Sequence, residues 1–215
     1  MAEKITNLLI NGLNPVTVGG TGATLKVFPA VPGSSIGVTS STYGILLVPG
    51  SGRANSQIME VRACGTYSFS SLSASPTFTP SLLAVINNTP AGNTAAGLQP
   101  NVNISQQVNL ALAGTSPAVS LVTLGSLTEA GSSEQAQNLL WNLKATMNAD
   151  TASGLLQGST TFQIDNGTPT TAAFTTEIGN IIMNAPIPFG LVVGVTFGTS
   201  LATNSASLFQ FQLEM

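Results

Sequence analysis

The chain has 215 residues, a formal charge of −3 and a charged fraction of 6%, where about 25% is ordinary for a soluble domain. Five Lys/Arg residues, scattered along the sequence, exclude a nucleic-acid interface, which takes a local surplus of cations to neutralise phosphates. The absence of histidine removes Ser-His-Asp and Cys-His catalysis, the usual general base and the commonest metal ligand.

The opening "MAEKITNLLINGLNP" carries Glu3 and Lys4, then an apolar run too short for the core of a signal peptide. Cys64 is the lone cysteine, so no disulfide staples the chain to itself. Both features predict synthesis in a reducing cytosol without export by a cleaved signal. Residues 1–40 are rich in Gly-Gly, Pro-Gly and hydroxyl clusters, with little room for strand pairing. Leu8, Leu9, Ile10, Val27 and Phe28 would be wasted in a free tail. The segment is therefore expected to be an extended N-terminal arm or an ordered, loop-rich segment, and an arm that docks on a neighbour through those five side chains accounts better for them.

Residues 41–215 read as one β-sandwich domain. Glycine and proline punctuate the whole length and separate short β-type runs, the pattern of an antiparallel sandwich or barrel. Expected strands are 24–28, 43–48, 57–64, 66–70, 81–87, 101–112 and 118–124, then 139–150, 154–164, 175–183, 189–197 and 207–215. The stretch "LLWNLKATMNAD" (Leu139 to Asp150) fits two periods. At helical spacing Leu139, Leu143 and Met147 stack, with Ser133 placed to cap a short helix; at a period of two, Leu139, Trp141, Leu143, Ala145, Met147 and Ala149 share one face. Its turn-rich neighbours decide for a strand, with Trp141 pointing inward and Lys144 and Asp150 outward. Leu156, Gly158, Thr160, Phe162 and Ile164 alternate next, and "DNG" (165–167) turns the chain. Leu191, Val193, Val195 and Phe197 then share a face, and Phe209, Phe211 and Leu213 alternate with Leu208, Gln210, Gln212 and Glu214.

Chemistry-bearing groups are few. Cys64 lacks a base and cannot form a standard zinc set, so it reads as an inert strand thiol. Glu129 and Glu134 share a loop without an aromatic to hold a sugar ring, and Asp150 and Asp165 fit turn roles. Glu60 and Arg62 lie on one face of a strand at period-two spacing, a solvated or intersubunit ion pair. "GGTGAT" (19–24) lacks the strand-turn-helix and Gly-Lys-Ser/Thr of a phosphate loop. No catalytic residue, cofactor or metal is expected, and the most apolar long window is broken by Pro186 and Pro188, so no membrane span is expected either. From Ala63 to Thr128 there is no charged residue at all. Such a surface is either solvated by hydroxyls and amides or covered by neighbouring copies, since interface cores are depleted in charge.

The stretches "QIMEVRACGTYSFS", "NLLWNLKATMNADTASGLLQGSTTFQI", "PFGLVVGVTFGTSLATNSAS" and "LFQFQLEM" resemble bacteriophage virion structural proteins with a jelly-roll fold, over about residues 55–215. The resemblance implies an all-β, antiparallel jelly-roll-like sandwich whose last two strands are adjacent. It also implies a homotrimer that decorates the capsid as a cement protein, partnered by itself and by the major capsid protein or other virion proteins. Localisation in a virion made in a bacterial cytoplasm follows from the same resemblance. The other implied role is a tail, baseplate or head-fibre component that binds a host receptor or glycan, and Trp141, Tyr43 and Tyr67 are the aromatics beyond phenylalanine that a sugar platform would need.

Overall fold

A computed structural model describes residues 6–10, 16–20, 24–28, 45–48, 58–68, 77–87, 119–130, 138–150, 155–165, 167–177, 189–198 and 204–215. The described residues form no helix. The strands are β1 (Thr6–Ile10), β2 (Val16–Gly20), β3 (Lys26–Val27), β4 (Ile45–Val48), β5 (Ile58–Ser68), β6 (Thr77–Asn87) and β7 (Val119–Ser126). They continue as β8 (Glu129–Ala130), β9 (Leu139–Asp150), β10 (Leu155–Ile164), β11 (Thr170–Glu177), β12 (Phe189–Phe197) and β13 (Asn204–Glu214). The 101–112 strand, the first half of the alternative helix (133–137), Tyr43 and Glu134 lie outside the described residues, and the rest of that stretch, from Leu139, is strand.

Two antiparallel sheets make the sandwich. Sheet A runs β1-β13-β5-β9-β10-β11, with β2 also on β13; sheet B runs β3-β12-β6-β7, with β4 also on β12 and β8 on β6. The chain crosses between sheets after β2, β4, β5, β8, β11 and β12, so most neighbours within a sheet are distant in sequence. β7 of sheet B lies across β10 and β11, and β4 lies across β1 and β13.

The core follows the period of two. Met59, Val61, Ala63 and Tyr67 of β5 face inward, as do Trp141, Leu143, Ala145 and Met147 of β9. They meet Phe78, Leu82 and Ala84 of β6 and Leu191, Val193, Val195 and Phe197 of β12. An aromatic cluster fills one end: Tyr67 stacks on Phe78 at 4.2 Å, and Phe78 lies 5.6 Å from Phe197 and 6.4 Å from Trp141. Trp141 thus points inward as its alternation predicts, and its indole N–H donates to the Thr66 carbonyl at 3.3 Å, satisfying the one polar atom it buries.

The expected N-terminal arm is corrected by the pairing. β1 and β2 both add to β13, and β3 pairs with β12 of the same chain. Val27 and Phe28, expected to contact a neighbour, are buried in their own domain, where Phe28 stacks on Trp141 at 6.2 Å. Their apolar area is already withdrawn from water within the chain, which is why neither is available for docking. Leu8, Leu9 and Ile10 sit in β1, with Leu8 opposite Gln212 and Ile10 opposite Phe211, so their backbone is held within the sheet.

Three local irregularities break the simple pattern. Phe209 is the extra residue of a bulge, because Leu208 pairs with Gly65 and Gln210 with Cys64. The bulge shifts the phase of β13, so Leu208 and Phe211 are both buried and Phe209 is not. Leu124 is extra in β7, since Leu82 pairs with Gly125 and Leu83 with Thr123. The hydroxyl of the fully buried Thr160, on the facing sheet, donates to the Leu124 carbonyl at 3.1 Å. Gly125 makes this approach possible, because a Cβ there would sit 2.6 Å from that of Thr160. The third irregularity is Pro80 inside β6, a strand expected to start only at residue 81. The Pro80 carbonyl accepts from Leu127 N–H, so the proline nitrogen faces the same side, in the gap between β7 and β8. No ladder donor is needed there, and the strand passes through the proline.

Candidate functional site

The two outer faces differ. On sheet B, Val27, Leu83, Val85 and Val192 are buried although they lie outside the sandwich core. The middle of that face is closed to solvent. On sheet A the outward positions of β5, β9, β10 and β13 carry mostly neutral polar side chains, exposed or half-buried, with Glu60, Arg62, Lys144 and Glu214 as charges among them. The register sets them in rows. Gln212, Arg62, Lys144, Thr161 and Thr171 cross the sheet side by side, and Gln210, Cys64, Asn142 and Gln163 form the next row.

These rows are tied together by hydrogen bonds. Gln210 Nε2 donates to Gln212 Oε1 at 2.6 Å, and Gln212 Nε2 donates to Glu214 Oε1 at 3.4 Å. Asn142 Nδ2 donates to Gln163 Oε1 at 3.3 Å, and the Thr161 and Thr171 hydroxyls are 2.9 Å apart. Thr17 and Ser207 extend the lattice onto β2, with their hydroxyls 3.0 Å apart. Each link alone contributes little, but together they hold amide and hydroxyl groups in a fixed array.

Glu60 and Arg62 meet as the spacing predicts: Arg62 Nε donates to Glu60 Oε1 at 2.6 Å. The pair closes within one chain. Both residues belong to β5, and the second carboxylate oxygen is taken by Lys144 Nζ at 3.0 Å from the adjacent strand of the same chain. The hydrogen bond from Lys144 is the largest cause that holds the Glu60 carboxyl below the usual carboxylate range; burial opposes it with the next largest effect, and the hydrogen bond from Arg62 adds to the lowering. The sequence missed Lys144 as the third member, because only the β5–β9 register brings it opposite Arg62. Two large apolar side chains are exposed on this face, Ile58 at 65% and Leu140 at 61%.

Reactive groups are sparse. Cys64 is half-buried on this face; burial pushes its thiol up from the ordinary value, and it donates weakly to Gln210 Oε1 at 3.9 Å. Among the described residues no group of three His, Cys, Asp or Glu side chains could hold a metal ion, and no helix is long and apolar enough to cross a membrane. Glu129 is in β8, paired with Phe78. Of the aromatics that a sugar platform would need, the two described ones are buried: Trp141, expected in the core, is 1% exposed and Tyr67 2%.

No family model and no curated protein matches this chain. Similar solved structures include a seed lectin from Lotus tetragonolobus (10% identity, TM-score 0.38, 97% of each chain). A winged bean acidic lectin complexed with methyl-alpha-D-galactose is similar at 10% identity and TM-score 0.40, over 99% of this chain and 98% of that one. A PL-14 alginate lyase from Aplysia kurodai is similar at 10% identity and TM-score 0.37, over 73% and 69%. The fold is an antiparallel β-sandwich of two sheets.

Proposed function

We propose that this protein is a structural component of a bacteriophage particle, a capsid decoration protein that adheres to the shell through the outer face of sheet A. The observation that carries this reading is the fixed lattice of amides and hydroxyls on that face, with its few charges cancelled internally. A surface of this kind does not demand full hydration of ions when it is covered, so apposing it to another protein costs less than burying a charged face. Ile58 and Leu140 supply apolar anchors within the lattice. Many copies on one shell would turn a modest single-site affinity into firm attachment. The phage-like strand patterns of residues 55–215 and the lack of histidine support the same role. Assembly as a homotrimer, with the major capsid protein as partner, belongs to this proposal.

A tail, baseplate or fibre component that binds glycans is the second role, and burial of Trp141 and Tyr67 disfavours it. The test is co-sedimentation of the purified protein with particles from which it has been stripped. Wild type should rebind, and Leu140→Glu with Ile58→Glu should reduce occupancy by about tenfold or more, given the value of apolar anchors at interface centres. Failure of the wild type to rebind, together with saturable binding on a glycan array, would transfer the protein to the second role.

A further inference from the structure

β11 is the last strand of sheet A in the sheet order, and among the described residues it pairs with β10 alone. Its other edge carries a row of backbone donors and acceptors with no strand of the described residues beside it. Exposed sheet edges are normally blunted by lysine, proline or a bulge. None of these devices occurs within β11, whose sequence is Thr-Thr-Ala-Ala-Phe-Thr-Thr-Glu. Pro169 stands just before it. The β7 edge of sheet B, by contrast, is interrupted by the Leu124 bulge. Thr170, Thr171, Ala172, Ala173 and Thr175 are all exposed.

The order of residues along β11 is close to a palindrome about Ala173. Thr170 and Thr171 on one side mirror Thr176 and Thr175 on the other, and Ala172 mirrors Phe174. When two identical strands pair antiparallel about a two-fold axis through the sheet, residues equidistant from the axis face each other on one side of the sheet. An axis at Ala173 sets threonine opposite threonine twice on each side. It also sets the small Ala172 opposite the large Phe174, and Ala173 opposite itself. Thr–Thr pairs are among the favourable cross-strand partners, and like charges directly opposite are the unfavourable ones. This register brings no charge opposite its like: Glu177 falls opposite Pro169, where the pairing ends for want of an N–H.

We propose that β11 is a self-association edge, on which a second copy of this chain adds its own β11 antiparallel about Ala173, joining two A sheets into one continuous sheet. The proposal does not depend on the particle-binding role, which uses the face of the sheet rather than its edge.

Cysteine placement in the full-length protein with Cys64→Ser reads the register directly. Ala173→Cys lies on the axis, where directly opposed strand residues are within disulfide reach, so mild oxidation should yield a covalent dimer. Thr171→Cys alone should not, because its mate is Thr175; mixing it with Thr175→Cys should restore the cross-link. Ala173→Lys, at an exposed site, should raise the dissociation constant by about tenfold or more. An equimolar mixture with Ala173→Glu should bring it back. Absence of the Ala173→Cys dimer, equal cross-linking at all three positions, or a mass unchanged by Ala173→Lys would each overturn the proposal. Particle rebinding by Ala173→Lys reports separately on the decoration role.

Discussion

Gly65 and Trp141 oppose each other across β5 and β9, and the fit between them leaves no room for a methyl group. A Cβ on Gly65 would sit 1.8 Å from the Ser207 carbonyl oxygen and 3.0 Å from the Trp141 ring. The first contact is with backbone, so a rotamer change cannot relieve it. Gly65→Ala should therefore lower stability by about 2 to 3 kcal/mol, the upper range for overpacking, measured by urea unfolding; a variant as stable as wild type would show that β5 and β13 separate freely. Thr160→Val keeps the volume and removes the donor to the Leu124 carbonyl, which the bulge leaves turned toward sheet A. The orphaned carbonyl should cost about 1 to 2 kcal/mol. Glu60 gives a pH effect with a definite sign. Its ionised form is favoured in the fold, so its contribution is complete above the unfolded value of 4.5 and fades as pH falls through the lower folded value. Glu60→Gln should flatten the loss of melting temperature on acidification below pH 4.5, by a small amount because the group is largely solvated.

At the scale of elements, β1 and β2 matter more than their lengths suggest. Together they cover β13 along Asn204–Leu208 and Phe211–Glu214, and Val18 of β2 is buried in the core. Deleting residues 1–20 should lower the melting temperature by about 5 °C or more, on the usual scaling for a domain of this size when about 2 kcal/mol or more is lost. An undisturbed melting curve would restore the idea of a detachable arm. The sequence alone makes β10 and β12 legible from their period of two, whereas β9 also fits a helical period and only its turn-rich neighbours decide for a strand. β3 falls inside the expected strand 24–28, but the sequence does not reveal β1 and β2, whose partner lies far along the chain: Thr17 meets Ser207, 190 residues away. Nor does it reveal the Phe209 bulge. Phe209, Phe211 and Leu213 form a regular alternation on paper, and only the pairing with β5 shows that Leu208 takes the inner place. The candidate face divides in the same way. Glu60 with Arg62, and Gln210 with Gln212 and Glu214, are neighbours within one strand and can be read from spacing. Lys144, Asn142 and Gln163 join them through register, which spacing does not contain.

For the whole molecule, a charged fraction of 6% makes electrolyte a weak lever. Self-association and particle binding should change by less than about twofold between about 0.05 and 0.5 M salt, because there is little long-range attraction to screen. A steep decline measured by sedimentation would show that ion pairs between molecules hold the assembly instead. The pairing of Glu60 with Arg62 and Lys144, in a chain whose formal charge is −3, has a kinetic corollary. With so weak a field reaching into solvent, little guides an approaching copy, and capture proceeds near the unsteered rate, about 10⁵–10⁶ M⁻¹s⁻¹. Long residence therefore has to come from slow departure, which is where the rigid carpet of amides and hydroxyls acts.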